Sequence, residues 1–180
     1  MNMNDKGKKT TEASRSVMTE MVMPNDANPM GNLMGGNLLR WMDIISSVCA
    51  GKHCEAHVVT VSVDHVSFKL PIHVGDILTI EATATRAFHT SLEVYVEVFA
   101  SDIKGHNRRL CNHAYYTFVA LDDVHKRPMP IPDVEPISDS ECKRYDSAPR
   151  RREVRLILGG RMKPSEAVEL REFFRSTANA

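Results

Sequence analysis

Long hydrophobic runs are missing from this 180-residue chain; no stretch reaches the roughly 18–20 apolar residues that span a bilayer. Net charge is missing too. Lys+Arg and Asp+Glu stand at 23 each, so no global field draws in nucleic acid or an anionic membrane. Cysteine is sparse, and Cys49, Cys54, Cys111 and Cys142 are too scattered for a disulfide framework. Reduced thiols point to the cytoplasm. The opening MNMNDKGKKTTEAS places no apolar stretch behind its lysines, so no secretory leader is expected. No Gly-x-Ser-x-Gly segment occurs, which excludes a nucleophile elbow. His53-Cys54-Glu55-Ala56-His57 spaces two histidines four apart, yet a zincin helix needs glutamate directly after the first, and Cys54 holds that place. No metal site is expected.

What is present reads as one α+β unit. Residues 1–12 are polar and expected to be a disordered tail. Residues 13–133 form the domain, and 134–180 a basic C-terminal extension with a short helix capped by Ser165. Ser14 to Met23 alternates as a first strand and stops at Pro24. The segment PNDANPMGNLMGG is a loop by composition. From Gly36 to Ala50 the apolar residues follow helical spacing, with Leu38, Met42, Ile45 and Cys49 on one face and Leu39, Ile44 and Val48 widening it. Four strand patterns follow, at His57–Phe68, Asp76–Phe88, about Leu92–Phe99 and Leu110–Leu121, joined by short turns. Short connections argue for antiparallel pairing. Pro128, Pro130, Pro132 and Pro136 mark an extended exit from the sheet. A long antiparallel sheet with one nearly all-apolar helix predicts that the helix lies against one sheet face.

Asp43 breaks the helix pattern. It sits between Met42 and Ile44, on a narrow polar stripe with Arg40 and Ser47. A buried lone carboxylate is costly, so it must be paired, hydrogen-bonded, protonated or turned to a cleft. Pairing with Arg40 is the bland explanation. Three features favour a site. Gly35-Gly36 opens the helix, whose first N–H groups and positive dipole end suit a developing oxyanion. Asp43 lies about 10 Å further along the axis at ~1.5 Å per residue, so another segment or subunit must complete the site. The preceding loop offers Asn25, Asp26, Asn28 and Asn32, of which Asn25 and Asp26 read as turn chemistry.

The runs PNDANPMGNLMGGNLLRWMD, VVTVSVDHVSFKLPIHVGD, HTSLEVYVEV and AYYTFVALD resemble the hot-dog acyl-CoA hydrolases, the broad-range cytosolic and bacterial branch, over residues 15–133. The resemblance implies a hot-dog fold: an antiparallel sheet wrapped around one long central helix, with sheets paired in a dimer. It implies a thioesterase releasing fatty acid and CoA, with Asp43 as general base or nucleophile and Asn28 supplied by the neighbouring subunit. It also implies oxyanion stabilisation by the Gly35 and Gly36 amides, CoA contacts at Thr90 and Ser91, and a homodimer assembling to a hexamer as three dimers. CoA is part of the substrate, and no cofactor, nucleic acid or membrane insertion is implied. Hot-dog dehydratases rely on a histidine, and none lies within Gly36–Ala50. The alternative is a non-catalytic acyl-CoA-binding or regulatory module with the same groove, whose basic segment 143–161 contacts nucleic acid, lies solvated or meets CoA's phosphates across a subunit interface.

Overall fold

The computed structural model describes residues 7–178. Two units are distinguished, residues 1–136 and 137–180.

In the first unit a short strand β1 (Lys8–Thr10) and a helical turn α1 (Thr11–Ser14) lead into β2 (Ser16–Met21). A loop then reaches the helix α2 (Gly35–Cys54). Four long strands follow: β3 (His57–Phe68), β4 (Ile77–Phe88), β5 (Ser91–Ser101) and β6 (Arg109–Leu121), with a short β7 (Asp133–Glu135) after the exit. The main sheet runs in the order β2-β4-β5-β6-β3, all antiparallel. Its inner face is built from Ile80, Ala82 and Ala84, Val94, Val96 and Val98, and Ala114, Tyr116 and Phe118, all buried. The alanines keep the middle of that face shallow, which lets a helix carrying Trp41, Met42, Ile45 and Cys49 settle on it. The predicted single helix on one sheet face is what the structure has.

α2 runs four residues past the apolar pattern. Glu55 ends it in the left-handed conformation (φ 51°), its N–H donating to Gly51 O at 2.8 Å. The β3 strand matches its predicted bounds, and the exit folds back along the sheet: Met129 N–H donates to Ala120 O and Ile131 N–H to His89 O.

The N-terminal tail is a correction. Residues 1–6 lie outside the described residues, but Lys8–Thr10 pairs in parallel with Asp133–Glu135, and Thr11 and Ser14 are buried. Main-chain hydrogen bonding does not depend on side-chain hydrophobicity, so a polar composition did not prevent a strand here.

The C-terminal extension is a second correction. Its basic segment is a 20-residue helix, α3 (Asp139–Leu158), followed by α4 (Val168–Ala178). A Ser138/Glu141 capping box starts α3, and Pro149 sits inside it. Ser165 does not cap α4. Glu153 of α3 does: its buried carboxylate accepts from Glu169 N–H at 3.2 Å and Leu170 N–H at 2.9 Å.

Candidate active site

Asp43 lies two turns into α2, on the edge of the helix that faces the outermost strand β3. Its carboxylate is half-buried and accepts a hydrogen bond from the Thr60 hydroxyl at 2.8 Å. No ion pair joins it to Arg40 among the described residues, so the bland explanation for this acid does not apply. Beneath it the Tyr116 hydroxyl, from β6, donates to Leu39 O at 3.2 Å. Burial, and then the nearby Asp43 charge, push the Tyr116 phenol well above its ordinary value, so it stays a neutral donor. The acid is therefore held by one hydroxyl and left accessible on its remaining lone pairs.

The start of α2 has a different character. Its N-cap Met34 makes no side-chain cap, so the first-turn N–H groups of Gly35 and Gly36 have no partner from that source. Gly35 is closely approached: a Cβ there would stand 3.3 Å from the Phe68 ring, while Gly36 faces open space. A cleft of about 270 Å³ adjoins this helix start, lined by Asn32, Leu33, Leu38, Phe68, Ile72 and Cys111.

Asn28 belongs to a loop that fastens itself. Its Oδ1 accepts from Met30 N–H at 2.9 Å and Asn32 N–H at 3.2 Å, and its own N–H donates to Asn32 O at 2.7 Å. Asp26 does turn chemistry, as read from the sequence, accepting from Met23 N–H at 3.1 Å. With its oxygen engaged, Asn28 has its amide NH₂ left to offer, which makes it a donor. No hydrogen bond links Asn28 to Asp43 within the chain among the described residues. The eight-residue step from Gly35 to Asp43 is about 12 Å of helix, which keeps the two ends of the constellation apart in one protomer.

Thr90 and Ser91 occupy the tight β4–β5 turn. Thr90 N–H donates to Phe88 O at 2.6 Å and Ser91 Oγ to the same carbonyl at 3.5 Å, with His89 at φ 55°. The register places Leu92 beside Phe118 and Phe118 beside Thr60. This turn therefore sits at the same end of the sheet as Thr60, two strand spacings away, or roughly 10 Å.

Thr60 was missed in the sequence. It is a hydroxyl on the helix-facing side of β3, at the level of the helix's polar stripe, a placement that appears only in the fold. The His53–His57 segment resolves into separate roles. His53 is buried, its Nε2–H donating to Pro132 O at 3.1 Å and its Nδ1 accepting from the Ser14 hydroxyl at 3.3 Å, while His57 is exposed on β3.

A five-stranded antiparallel sheet curled over one central helix, with an acid on the helix flank, defines the hot-dog class of α+β proteins. The profile of the thioesterase superfamily matches residues 30–105. The uncharacterized acyl-CoA thioester hydrolase YkhA of Bacillus subtilis is 36% identical over 77% of this chain and 80% of its own length. An apo-hexameric acyl-CoA thioesterase superposes with a TM-score of 0.82 at 37% identity, over 85% of this chain and 97% of that one. The acyl-CoA hydrolase of Staphylococcus aureus, solved with butyryl coenzyme A, coenzyme A and coenzyme A disulfide, gives a TM-score of 0.79 at 33% identity over 97% and 98% of the two chains. The chain belongs to the thioesterase superfamily, among its hot-dog acyl-CoA hydrolases.

Proposed function

We propose that this chain hydrolyses acyl-CoA thioesters to carboxylic acid and CoA, with Asp43 as the catalytic carboxylate. The reading rests on one observation above all: a half-buried acid on a largely apolar helix, bonded to Thr60 and with no ion pair among the described residues. The names of the relatives agree with it. In the reaction, Asp43 takes a proton from water as it adds to the thioester carbonyl, or attacks that carbonyl itself to give an anhydride that water opens. The C–S bond breaks, and CoA leaves as a thiolate that takes up the proton. Gly35 and Gly36 amides receive the oxyanion, and Asn28 of a neighbouring protomer donates its amide hydrogen to the water or the carbonyl. Thr60 sets the carboxylate's angle. Thr90 and Ser91, at the same end of the sheet, are suited to contact the CoA portion. Water and side chains complete this chemistry without a cofactor.

Dimerisation is part of the proposal. β3 is an edge strand of 12 residues with Val59, Val61 and Val63 exposed, beside exposed Ile44 and Val48 of α2. An open apolar edge of that length calls for a second copy. Such pairing would bring the Asn28 loop of one chain towards the Asp43 of the other. Assembly of three dimers into a hexamer is supported by the hexameric relative. A cytoplasmic location is supported by four free cysteines. Among the described residues no helix is long and apolar enough to cross a membrane.

The test is release of free thiol from a series of acyl-CoAs. Thiol should appear with the wild-type protein and fall by about 10²–10⁴ in rate for Asp43→Asn with unchanged folding. Tight acyl-CoA binding with no thiol release would favour the binding module instead.

A further inference from the structure

The cleft beside the helix start is lined by Leu33, Leu38, Phe68, Ile72 and Cys111 together with the polar Asn32 and Lys69, and a further polar group lies behind its wall. Asn112 of β6 is completely buried, and neither its Oδ1 nor its Nδ2 has a hydrogen-bond partner among the described residues. Strand pairing places it on the inner sheet face, in the row Met18, Ile80, Val98, Asn112 and Phe68. Its neighbour Cys111 is the extra residue of a β-bulge, skipped between the pairs Val98–Asn112 and Phe99–Leu110. Bulges turn a side chain that regular alternation would point elsewhere, and Cys111 is turned inward to line the cleft. Phe68, directly across from Asn112, lines the same cleft and carries its ring against Gly35. The amide thus sits behind the two residues that form the cleft wall next to the proposed oxyanion donors.

A buried amide left with both ends open is costly in an apolar row, where a leucine would serve at no such cost. We infer that Asn112 is a specificity residue, and that this cleft takes a short acyl group carrying a hydroxyl. A hydroxyl donates one hydrogen bond and accepts others, which satisfies Oδ1 and Nδ2 together, whereas a plain alkyl chain satisfies neither. The cleft volume of about 270 Å³ is that of roughly nine water-sized groups, which suits a short chain. Phe68 is exposed, with its ring against Gly35, and is the residue that would have to move for the amide to meet the ligand. This inference rests on the acyl-CoA hydrolase reading and sharpens its substrate.

The test compares kcat/KM for 3-hydroxybutyryl-CoA and butyryl-CoA, in wild type and in Asn112→Leu. Wild type should favour the hydroxylated substrate by about tenfold or more, and Asn112→Leu should lose or reverse that ratio. Asn112→Thr, which puts a hydroxyl in place of the amide at similar size, should retain part of the preference and guards against a leucine variant that folds poorly. Equal wild-type rates on the two substrates, or a preference unchanged in both variants, would overturn the inference and leave the hydrolase intact. Release of thiol from neither substrate would instead sink the hydrolase reading, and this inference with it.

Discussion

Thr60 meets Asp43 through a single hydrogen bond from an exposed strand position, so its contribution to catalysis separates cleanly from its contribution to folding. Hydrogen bonds to charged groups are worth about 1.5–3 kcal/mol. Thr60→Val should therefore lower kcat about ten- to hundredfold, with little change in KM or melting temperature. Steady-state kinetics and a thermal melt on the same sample check both halves. An unchanged kcat would mean that the hydroxyl does not orient the acid. Asp43 itself was legible from the sequence because a carboxylate inside an apolar helix demands an explanation. Thr60 was not, because threonine is ordinary in a strand and its significance exists only once β3 is laid beside α2.

At the scale of elements, His53 ties α2 to the exit segment, with both ring nitrogens engaged. Burial chiefly holds its imidazole below the ordinary value, and burial does the same for His113, with Lys69 adding to it. The unfolded chain therefore binds protons more readily than the folded one. This contribution to stability is full above the ordinary imidazole pKa and is lost as pH falls through that value towards the lower folded-state one. Melting temperature should drop between pH 7.5 and 5.5, and His53→Gln should flatten the drop; a flat wild-type profile would contradict this. In the second unit, Glu153 caps α4 from a neighbouring helix. Its replacement by alanine should speed amide exchange at Leu170 by roughly five- to tenfold, while α3 stays protected. Exchange at Leu170 as slow as in wild type would assign the capping elsewhere.

The same elements show where sequence reading reaches its limit. The four long strands and α2 were legible to within a few residues because each carries a periodic apolar pattern, which β4, β5, β6 and α2 bury and β3 leaves exposed at Val59, Val61 and Val63. β1 and β7 were not, since three-residue strands have no period to detect and are held by main-chain pairing across 125 positions of sequence. The α3 helix was hidden by its arginines and by Pro149, although its Ser138-x-x-Glu141 box was in plain view. Ser165 was a reasonable cap by local chemistry, and a tertiary contact took its place.

At the scale of the whole molecule, one protomer holds every proposed site residue and does not bring them all together. Asp43 and Thr60 form one half, and Asn28 is locked in a loop that spends its oxygen on its own turn. In the proposed dimer the apolar β3 edge is the reason for a second chain, and that chain would supply the missing amide. Subunit mixing tests this most directly. Asp43→Ala and Asn28→Ala are each inactive in the account; unfolded together and refolded as a mixture, they should form hybrids with one intact site in two. If mixed protomers pair at random, thiol release should recover to about a quarter of the wild-type rate. A mixture as inactive as its two parents, with hybrids shown to have formed, would contradict a site shared between protomers.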